Sequence, residues 1–331
     1  MDRRGFLMAG AAFATCGCAG IRGETPVRFL VAADVHYRPG VFPHDTSGQL
    51  ERIVARGVSE KVDFGIQLGD FQHNALRDRP FIDIWTGAPF ETHSVIGNHD
   101  DDASREEETR AAFGLERGWY RFDRRGIRFI VLDTNYARID GRYVHFGYGS
   151  GIVPWRLPAG DRMRLHPDEF DFLEDSIRSA EGVCVVASHR SLAGDDPDAE
   201  RVRRIFAAAN GESRRKVALA LNGHNHCDRL QEKEGVPYYT VNSPNHCWIP
   251  LRHGAYPDED VRRWREIDHV IAYDGTPLSA VVSMWPDGRF SVSGMKGGFW
   301  RGIAPAQIVP SFPGGFSASI RDRPEPQGPG R

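Results

Sequence analysis

Short apolar runs alternate with amphipathic segments along most of the chain. The runs Arg28–Ala33, Phe64–Leu68 and Ser94–Ile96 contain branched or aromatic residues, and a polar cluster follows each of them, so they predict buried strands. Val183–Ser188 and Val217–Asn222 predict two more strands of the same kind. Strands that alternate with helices in this way predict an α/β fold.

Two segments carry clear helix signals. Pro167 is followed by Asp168 and Glu169, and proline and acidic residues suit the first turn of a helix. A second helix is predicted to start at Asp196–Pro197, because apolar residues then recur at helical spacing, and to stop at Gly211.

The remaining apolar runs are strand-like and are separated by turns. Tyr120–Phe122 and Ile127–Leu132 predict a β-hairpin, and Tyr238–Val241, Ser279–Trp285 and Arg289–Ser293 predict a strand-rich C-terminal part. Two stacked sheets flanked by helices fit this order of elements best.

Composition narrows the choice of partner. The 331 residues include 42 Lys and Arg against 45 Asp and Glu, a net charge of −3, which argues against a nucleic-acid polymer as partner by bulk charge. We expect one domain over residues 26–300 and a C-terminal extension over 301–331, disordered from Arg321, where Pro, Gly and Arg dominate. Five cysteines form no disulfide framework, and a bridge between Cys227 and Cys247 is left open.

The N-terminus reads as a targeting segment. Residues 1–20 contain Arg3–Arg4 followed by an apolar run, a pattern typical of a twin-arginine export signal. Cys16 and Cys18 follow that run, so lipid anchoring is the alternative to simple cleavage. We therefore expect an exported protein of the periplasm or cell envelope, with membrane contact only through such an anchor.

Polar clusters at the predicted strand ends carry the candidate chemistry. In an open α/β sheet the ends of the strands meet at one edge, where sites assemble. Carboxylate and imidazole donors in this number suit two first-row divalent ions such as Mn, Fe or Zn, because one ion does not need so many. The clusters are Asp34-Val35-His36, Gly69-Asp70, Gly97-Asn98-His99-Asp100, Ser188-His189 and Gly223-His224-Asn225-His226.

These five ordered clusters resemble the motifs of the calcineurin-like metallophosphoesterase superfamily. The resemblance implies a four-layer α/β/β/α sandwich of two mixed sheets flanked by helices. It also implies a bridging role for Asp70 between two ions and a catalytic role for His99 near the leaving group. The implied ligands of one ion are Asp34, His36 and His226, and those of the other are Asn98, His189 and His224.

One position departs from the pattern of the phosphoprotein phosphatases in this superfamily. Their third residue after the bridging aspartate is a second aspartate that orients the catalytic histidine, whereas this chain has His73. His73 either lines the substrate pocket or approaches a metal, or it is a surface or packing residue. We favour the surface or packing role and leave His73 out of the ligand set. Arg190 either binds a substrate phosphate or is a solvated loop residue. Tyr143–Trp155 and Asn245–His253 either wall the metal cleft or pack as ordinary aromatic segments.

The resemblance implies hydrolysis of a phosphomonoester or phosphodiester by a hydroxide that two metal ions activate. The Gly-Asn-His-Asp form resembles the nucleotide-cleaving branches, so a small molecule or a nucleotide is the expected substrate. A non-catalytic cell-envelope protein that binds metal or a phosphate ligand is the alternative. The possible anchor also leaves cleavage of lipid or cell-wall phosphates open.

Overall fold

A computed structural model describes residues 25–146, 151–152, 156–211, 216–248, 256–303 and 317–324. The helices within these ranges are α1 (Thr46–Ser59), α2 (Arg79–Thr86), α3 (Glu106–Phe113), α4 (Pro167–Arg178), α5 (Pro197–Gly211) and α6 (Asp258–Arg263). The first strands are β1 (Val27–Ala32), β2 (Phe64–Gln67), β3 (Glu91–Ser94), β4 (Tyr120–Arg124), β5 (Ile127–Val131), β6 (Tyr136–Ile139), β7 (Arg142–His145), β8 (Cys184–Ser188) and β9 (Val217–Asn222). The later strands are β10 (Arg229–Lys233), β11 (Val236–Thr240), β12 (His246–Cys247), β13 (Ile271–Ala272), β14 (Ala280–Met284), β15 (Phe290–Ser293), β16 (Met295–Lys296) and β17 (Ser319–Ile320).

Two mixed sheets form the framework. The first has five strands in the order β15-β14-β1-β2-β3, and β1, β2 and β3 run parallel to one another. The second has six strands in the order β10-β11-β9-β8-β5-β4, with parallel pairing from β11 through β9 and β8 to β5. The carboxyl ends of neighbouring parallel strands therefore share one edge in each sheet.

The side chains of each sheet alternate between two apolar layers. On β1, Phe29 and Val31 belong to the core between the sheets, whereas Leu30 packs with the residues of α1 and α2. On β5, Phe129 faces the same central core and Ile130 packs with the apolar faces of α4 and α5. This period of two places a helix layer outside each sheet, which confirms the predicted α/β/β/α sandwich.

Local chemistry fixes the helix starts. The side chain of Asp45 accepts the backbone N–H of Gly48 at the start of α1. At α4, Pro167 takes the first helical position, and the carboxylate of Glu169 accepts the backbone N–H of His166 at 3.0 Å. Both helices predicted from the sequence, at Pro167 and at Pro197, are confirmed.

Two predictions of local structure need correction. The third strand is Glu91–Ser94 and not Ser94–Ile96, because this edge strand exposes polar residues that carry no apolar signal. The tail is ordered from Arg321 to residue 324, since Arg323 forms a β-bridge with Val292 and an ion pair with the buried carboxylate of Asp228. Residues 325–331 lie outside the described part.

Other predictions from the sequence keep their standing. The export signal over residues 1–20 lies outside the described residues, and the division into one domain and an extension stays a prediction. Cys184, Cys227 and Cys247 are free thiols, so the bridge left open above is not formed in the structure. Across the described ranges, no helix combines the length and the apolar character needed to cross a bilayer.

Candidate metal centre

The loops after five strands converge at the edge where both sheets end. Backbone hydrogen bonds join the loops: the N–H of Asp34 donates to the carbonyl of Gly69 at 3.0 Å, and that of His36 donates to the carbonyl of Asp70 at 2.9 Å. Across the two sheets, the N–H of His224 donates to both carboxylate oxygens of Asp34 at 2.9 Å. The N–H of Gly223 donates to the carbonyl of His189, and the N–H of His99 donates to the carboxylate of Asp70, so the loops of all seven predicted ligands meet in one place.

One cluster of donor atoms comes mainly from the first sheet. Asp34, His36, Asp70 and His226 each offer an atom within 4.8 Å of the others, and all four side chains are buried. The Nε2 atoms of His36 and His226 lie 3.1 Å apart. This cluster can hold one ion, and it unites the three predicted ligands with Asp70, the predicted bridge.

A second cluster adjoins the first. Asp70, His189 and His224 again offer donor atoms within 4.8 Å of one another, and the Oδ1 of Asn98 lies 3.1 Å from the Nε2 of His189. The Oδ2 of Asp70 lies 3.5 Å from the Nε2 of His36 and 3.2 Å from that of His189. Asp70 therefore stands between the two clusters, as its predicted bridging position requires.

Hydrogen-bond partners fix where the protons of the first cluster sit. The Nδ1 of His226 lies 2.7 Å from the carbonyl oxygen of His246, which can only accept, so Nδ1 carries the proton. The Nδ1 of His36 contacts the Nε2 of His73, whose own Nδ1 faces the Asp102 carboxylate at 2.7 Å. The lone pairs on the Nε2 atoms of His36 and His226 therefore face each other. A cation bound between them would remove the repulsion between these lone pairs.

Backbone conformation also marks these positions. Five of the seven predicted ligands have a positive φ, although none is glycine, and such residues cluster at functional sites. Gly97 shows why glycine stands between them, because a Cβ there would lie 2.1 Å from the backbone N of Asp70. The five are Asp34, His36, Asp70, His224 and His226.

Electrostatics keep Asp70 and His224 in the forms that bind cations. Burial alone would raise the pKa of Asp70, but His189 and His99 hold it well below its usual range, so the carboxylate is charged. Burial, together with neighbouring His189, lowers the pKa of His224 to about 3, so this imidazole is neutral. Burial alone would lower the pKa of His189, but Asp70 raises it to about 9, so a divalent ion at the second cluster would replace the proton of this imidazole. Carboxylate and imidazole donors together are a suitable set for borderline divalent ions.

The family model for calcineurin-like phosphoesterases matches residues 27–228, more than half of the chain. The chain belongs to the calcineurin-like phosphoesterase family. The family and the two clusters together indicate a dinuclear metal site. No curated protein matches the chain.

Solved structures show where else this calcineurin-like phosphoesterase fold occurs. A dimetal phosphatase from Danio rerio superposes with a TM-score of 0.52 at 17% identity, over 81% of this chain and 96% of the other. GAP50, the anchor in the inner membrane complex of Plasmodium, superposes with a TM-score of 0.50 at 13% identity, over 82% and 85%. At these identities the likeness concerns the fold.

Asp102 is a site residue of this calcineurin-like phosphoesterase that the sequence analysis missed. The Nδ1 of His99 lies 2.9 Å from the Oδ2 of Asp102, and the same oxygen faces the Nδ1 of His73. Burial alone would lower the pKa of His99, but Asp70 and Asp102 raise it to about 9. The orienting carboxylate that the resemblance places at position 73 is thus supplied from position 102.

His73 is closer to the centre than predicted. It is buried, and its Nε2 lies 3.0 Å from the Nδ1 of His36. It therefore links a metal-ligand candidate to Asp102, which fits the open alternative of an approach to the metal and not the favoured surface or packing role. The sequence contained a signal for this position, because His73 follows Asp70 by only three residues and so belongs to the same loop.

The buried carboxylate of Asp100 joins two of the loops that carry the donor atoms. It accepts the backbone N–H groups of Asp70, Phe71, Gln72 and Gly97 at 2.7–3.0 Å. A buried carboxylate that accepts four amides ties the loop after β2 to the loop after β3. The Gly-Asn-His-Asp motif therefore supplies a structural anchor as well as Asn98 and His99.

The two predicted wall segments differ. In Asn245–His253, His246 is buried against the rings of His36 and His226, and Trp248 is 41% exposed beside them. His253 lies outside the described residues. In Tyr143–Trp155, the ring of Tyr143 contacts His166, away from the donors, and residues 147–150 and 153–155 are outside the described part.

Arg190 does not point toward the donor clusters. Its guanidinium forms an ion pair with Asp196 and donates to the carbonyl oxygen of Met163 at 2.5 Å. Because these partners occupy the guanidinium, its contacts do not support a role in binding a substrate phosphate.

Proposed function

We propose that the protein hydrolyses a phosphomonoester or phosphodiester bond of a small-molecule or nucleotide substrate, with two divalent ions as cofactors. The observation that carries this proposal is the position of Asp70, whose Oδ2 lies within 3.5 Å of imidazole nitrogens from both clusters. A shared carboxylate between two donor sets is the arrangement that two-metal hydrolysis of phosphate esters needs.

The seven donors have complementary tasks. Asp34, His36 and His226 would hold one ion, Asn98, His189 and His224 the other, and Asp70 would contact both. Two ions bound there would activate a water molecule and neutralise charge on the phosphoryl group. Mn, Fe and Zn suit the mixed carboxylate and imidazole set.

His99 has the geometry of a proton donor to the leaving group. Asp102 accepts from its Nδ1 at 2.9 Å, which fixes the ring and leaves Nε2 as the atom that would give a proton. The side chain is 20% exposed, so a substrate in the cleft can reach it. No protein nucleophile is required in this scheme, because water attacks phosphorus.

Trp248 supports a substrate with a planar group. Its indole is exposed, and its ring centroid lies 6.4 Å from that of His99 with the two planes 24° apart. A planar surface beside the leaving-group histidine suits the stacking of a base or another aromatic ring. This favours a nucleotide or an aryl ester among the small-molecule substrates.

Export to the periplasm or cell envelope belongs to the same proposal. Its support is the paired arginines at residues 3 and 4 and the apolar run after them. Expression of the full chain with a reporter, compared with an Arg3→Lys, Arg4→Lys double variant, tests it. Retention of the double variant in the cytoplasm supports twin-arginine export, and unchanged secretion contradicts it.

The experiment for the proposed function compares substrates. The chain from residue 25 on is stripped of metal, reloaded with Mn²⁺, Fe²⁺, Co²⁺ or Zn²⁺, and assayed with p-nitrophenyl phosphate, bis(p-nitrophenyl) phosphate, nucleotides and a phospholipid. Catalytic turnover that Asp70→Asn abolishes supports the proposal. Stoichiometric binding of metal or phosphate without turnover on any substrate contradicts it and favours the binding-protein alternative.

A further inference from the structure

The imidazole ring of His246 is buried beside the first cluster without a hydrogen bond to any described residue. It is 0% exposed, and neither its Nδ1 nor its Nε2 has a hydrogen-bond partner among the described residues. Buried ring nitrogens almost always have a partner, because an unpaired polar atom loses its hydration without replacement. The imidazole is therefore placed as if a partner outside the protein completes its bonding.

The surroundings of the ring limit what that partner can be. The face of Phe42 stacks on it at 4.5 Å between centroids, and Trp248 meets it edge-on at 4.7 Å. The nearest polar rings are those of His226 at 4.7 Å and His36 at 5.1 Å. The ring of His246 is therefore bordered by apolar side chains and by two metal-ligand candidates. A partner for its nitrogens would come from the side of the metal centre.

The donor spacing matches that of the other clusters. His36, His226 and His246 each offer a nitrogen within 4.8 Å of the other two, and His36 and His226 also belong to the group with Asp34 and Asp70. The Nε2 atoms of His36 and His226 already carry facing lone pairs. The backbone carbonyl of His246 also accepts from the Nδ1 of His226, so this residue positions one ligand candidate with its main chain.

We propose that His246 is an additional protein ligand of the ion held between His36 and His226. The inference rests on the proposed function, because it assumes that the first cluster binds a divalent ion. Three imidazoles on that ion would favour Zn²⁺, Co²⁺ or Fe²⁺ over Mg²⁺ and Ca²⁺, which prefer oxygen donors. His246 thus becomes a determinant of metal choice at this cluster.

The variant His246→Phe tests this with little change in shape, because a phenyl ring can keep the contacts with Phe42 and Trp248. The matched control is His44→Phe, since His44 also stacks on Phe42 but bonds to Asn245 through its Nε2 at 2.8 Å. Metal-stripped wild type and both variants are titrated with Co²⁺ and Zn²⁺ by calorimetry, and the visible absorption of bound Co²⁺ is recorded.

The proposal predicts that His246→Phe weakens one of two binding steps by at least about tenfold and changes the Co²⁺ spectrum, with His44→Phe like the wild type. It also predicts that the metal-free variant is no less stable than the metal-free wild type, while its rise in melting temperature on metal addition is smaller. Equal affinities and an equal spectrum for wild type and His246→Phe would overturn the inference.

Two outcomes separate this inference from the function on which it rests. If the wild type binds two ions and His246→Phe binds them equally well, only the role of His246 is wrong. If the wild type binds fewer than two ions, the dinuclear proposal itself fails. A metal-free His246→Phe that melts well below the wild type, with unchanged metal affinity, would also overturn the inference, because His246 would then be a packing residue.

Discussion

The Nδ1 of His99 lies 2.9 Å from the carboxylate of Asp102, three residues further along the chain. The same carboxylate oxygen lies 2.7 Å from the Nδ1 of His73, whose Nε2 contacts His36. One carboxylate therefore orients the candidate proton donor and, through His73, a candidate metal ligand. The aspartate that the resemblance leads one to expect at position 73 is replaced by a residue from the next loop.

Removing the Asp102 charge should slow the reaction only where the leaving group needs a proton. We expect Asp102→Asn, at saturating metal, to lower kcat on an alkyl phosphate by about 10²-fold, because His99 loses its orientation. The effect on p-nitrophenyl phosphate should stay within about threefold, since that leaving group departs without a proton. The measurement is kcat across a series of leaving groups.

His99→Ala is the companion variant for this series and should show the same selective loss, larger in size. A uniform loss on all leaving groups in Asp102→Asn would contradict the positioning role. Such a result would place Asp102 in general folding of the loop instead.

Replacing His73 should weaken metal binding and leave the fold intact. His73→Phe removes the acceptor for the Nδ1–H of His36, so the ring of His36 loses its fixed orientation. Loss of such a supporting hydrogen bond costs about 10–100-fold in metal affinity. Calorimetric titration with Zn²⁺ checks this, and unchanged affinity at both sites would contradict the link.

Gly97 has no room for a side chain beside the bridging carboxylate. In Gly97→Ala the new Cβ would lie 2.1 Å from the Asp70 N and 2.3 Å from its Oδ1, so the bridging carboxylate must move. Displacement of a reacting group by about 1 Å can cost about 10²-fold in rate. Gly160→Ala is the control, because no atom lies within 4 Å of its added Cβ. Equal activity of the two variants would contradict the close approach.

The C-terminal tail should be held by one buried carboxylate. Arg323 is 13% exposed and lies 2.8 Å from the buried Asp228. We expect Arg323→Ala to lower the free energy of unfolding by about 1.5 kcal/mol, because it removes one of two guanidinium groups on Asp228 while Arg321 keeps its own contact at 2.9 Å. Arg178→Ala, whose pair with Asp175 is exposed, should cost less than about 0.5 kcal/mol.

Urea unfolding measures both variants, and limited proteolysis should cleave Arg323→Ala earlier near its C-terminus. If Arg323→Ala unfolds like Arg178→Ala, the tail is not anchored through Asp228.

The sequence was sufficient to predict the strands at the centre of the fold and the candidate metal ligands. Apolar runs that end in polar clusters predicted β1, β2, β8 and β9, and the resemblance supplied a ligand set that the fold brings together. The edge strand β3 was not predicted because Glu91 is exposed, Thr92 and His93 are only half-buried, and no apolar alternation marks the segment. Local patterns report burial, and an edge strand has little of it.

Contacts between loops were beyond local patterns. Asp102 stands in a run of three aspartates after His99, and the sequence does not tell which of them meets the histidine. His246 could have been found, because it follows β11 at the same edge as the other donors. Arg190 looked suited to a phosphate, but its pairing with Asp196 depends on a turn that the sequence does not specify.

The central claim is that two metal ions held around Asp70 drive phosphate-ester hydrolysis. The most direct measurement is the rate of p-nitrophenyl phosphate and bis(p-nitrophenyl) phosphate hydrolysis by metal-stripped protein as Mn²⁺ or Zn²⁺ is added in known equivalents. The account predicts no turnover without metal, a plateau at two equivalents, and no turnover in Asp70→Asn. Turnover in the presence of excess chelator, or in Asp70→Asn at the wild-type rate, would contradict it.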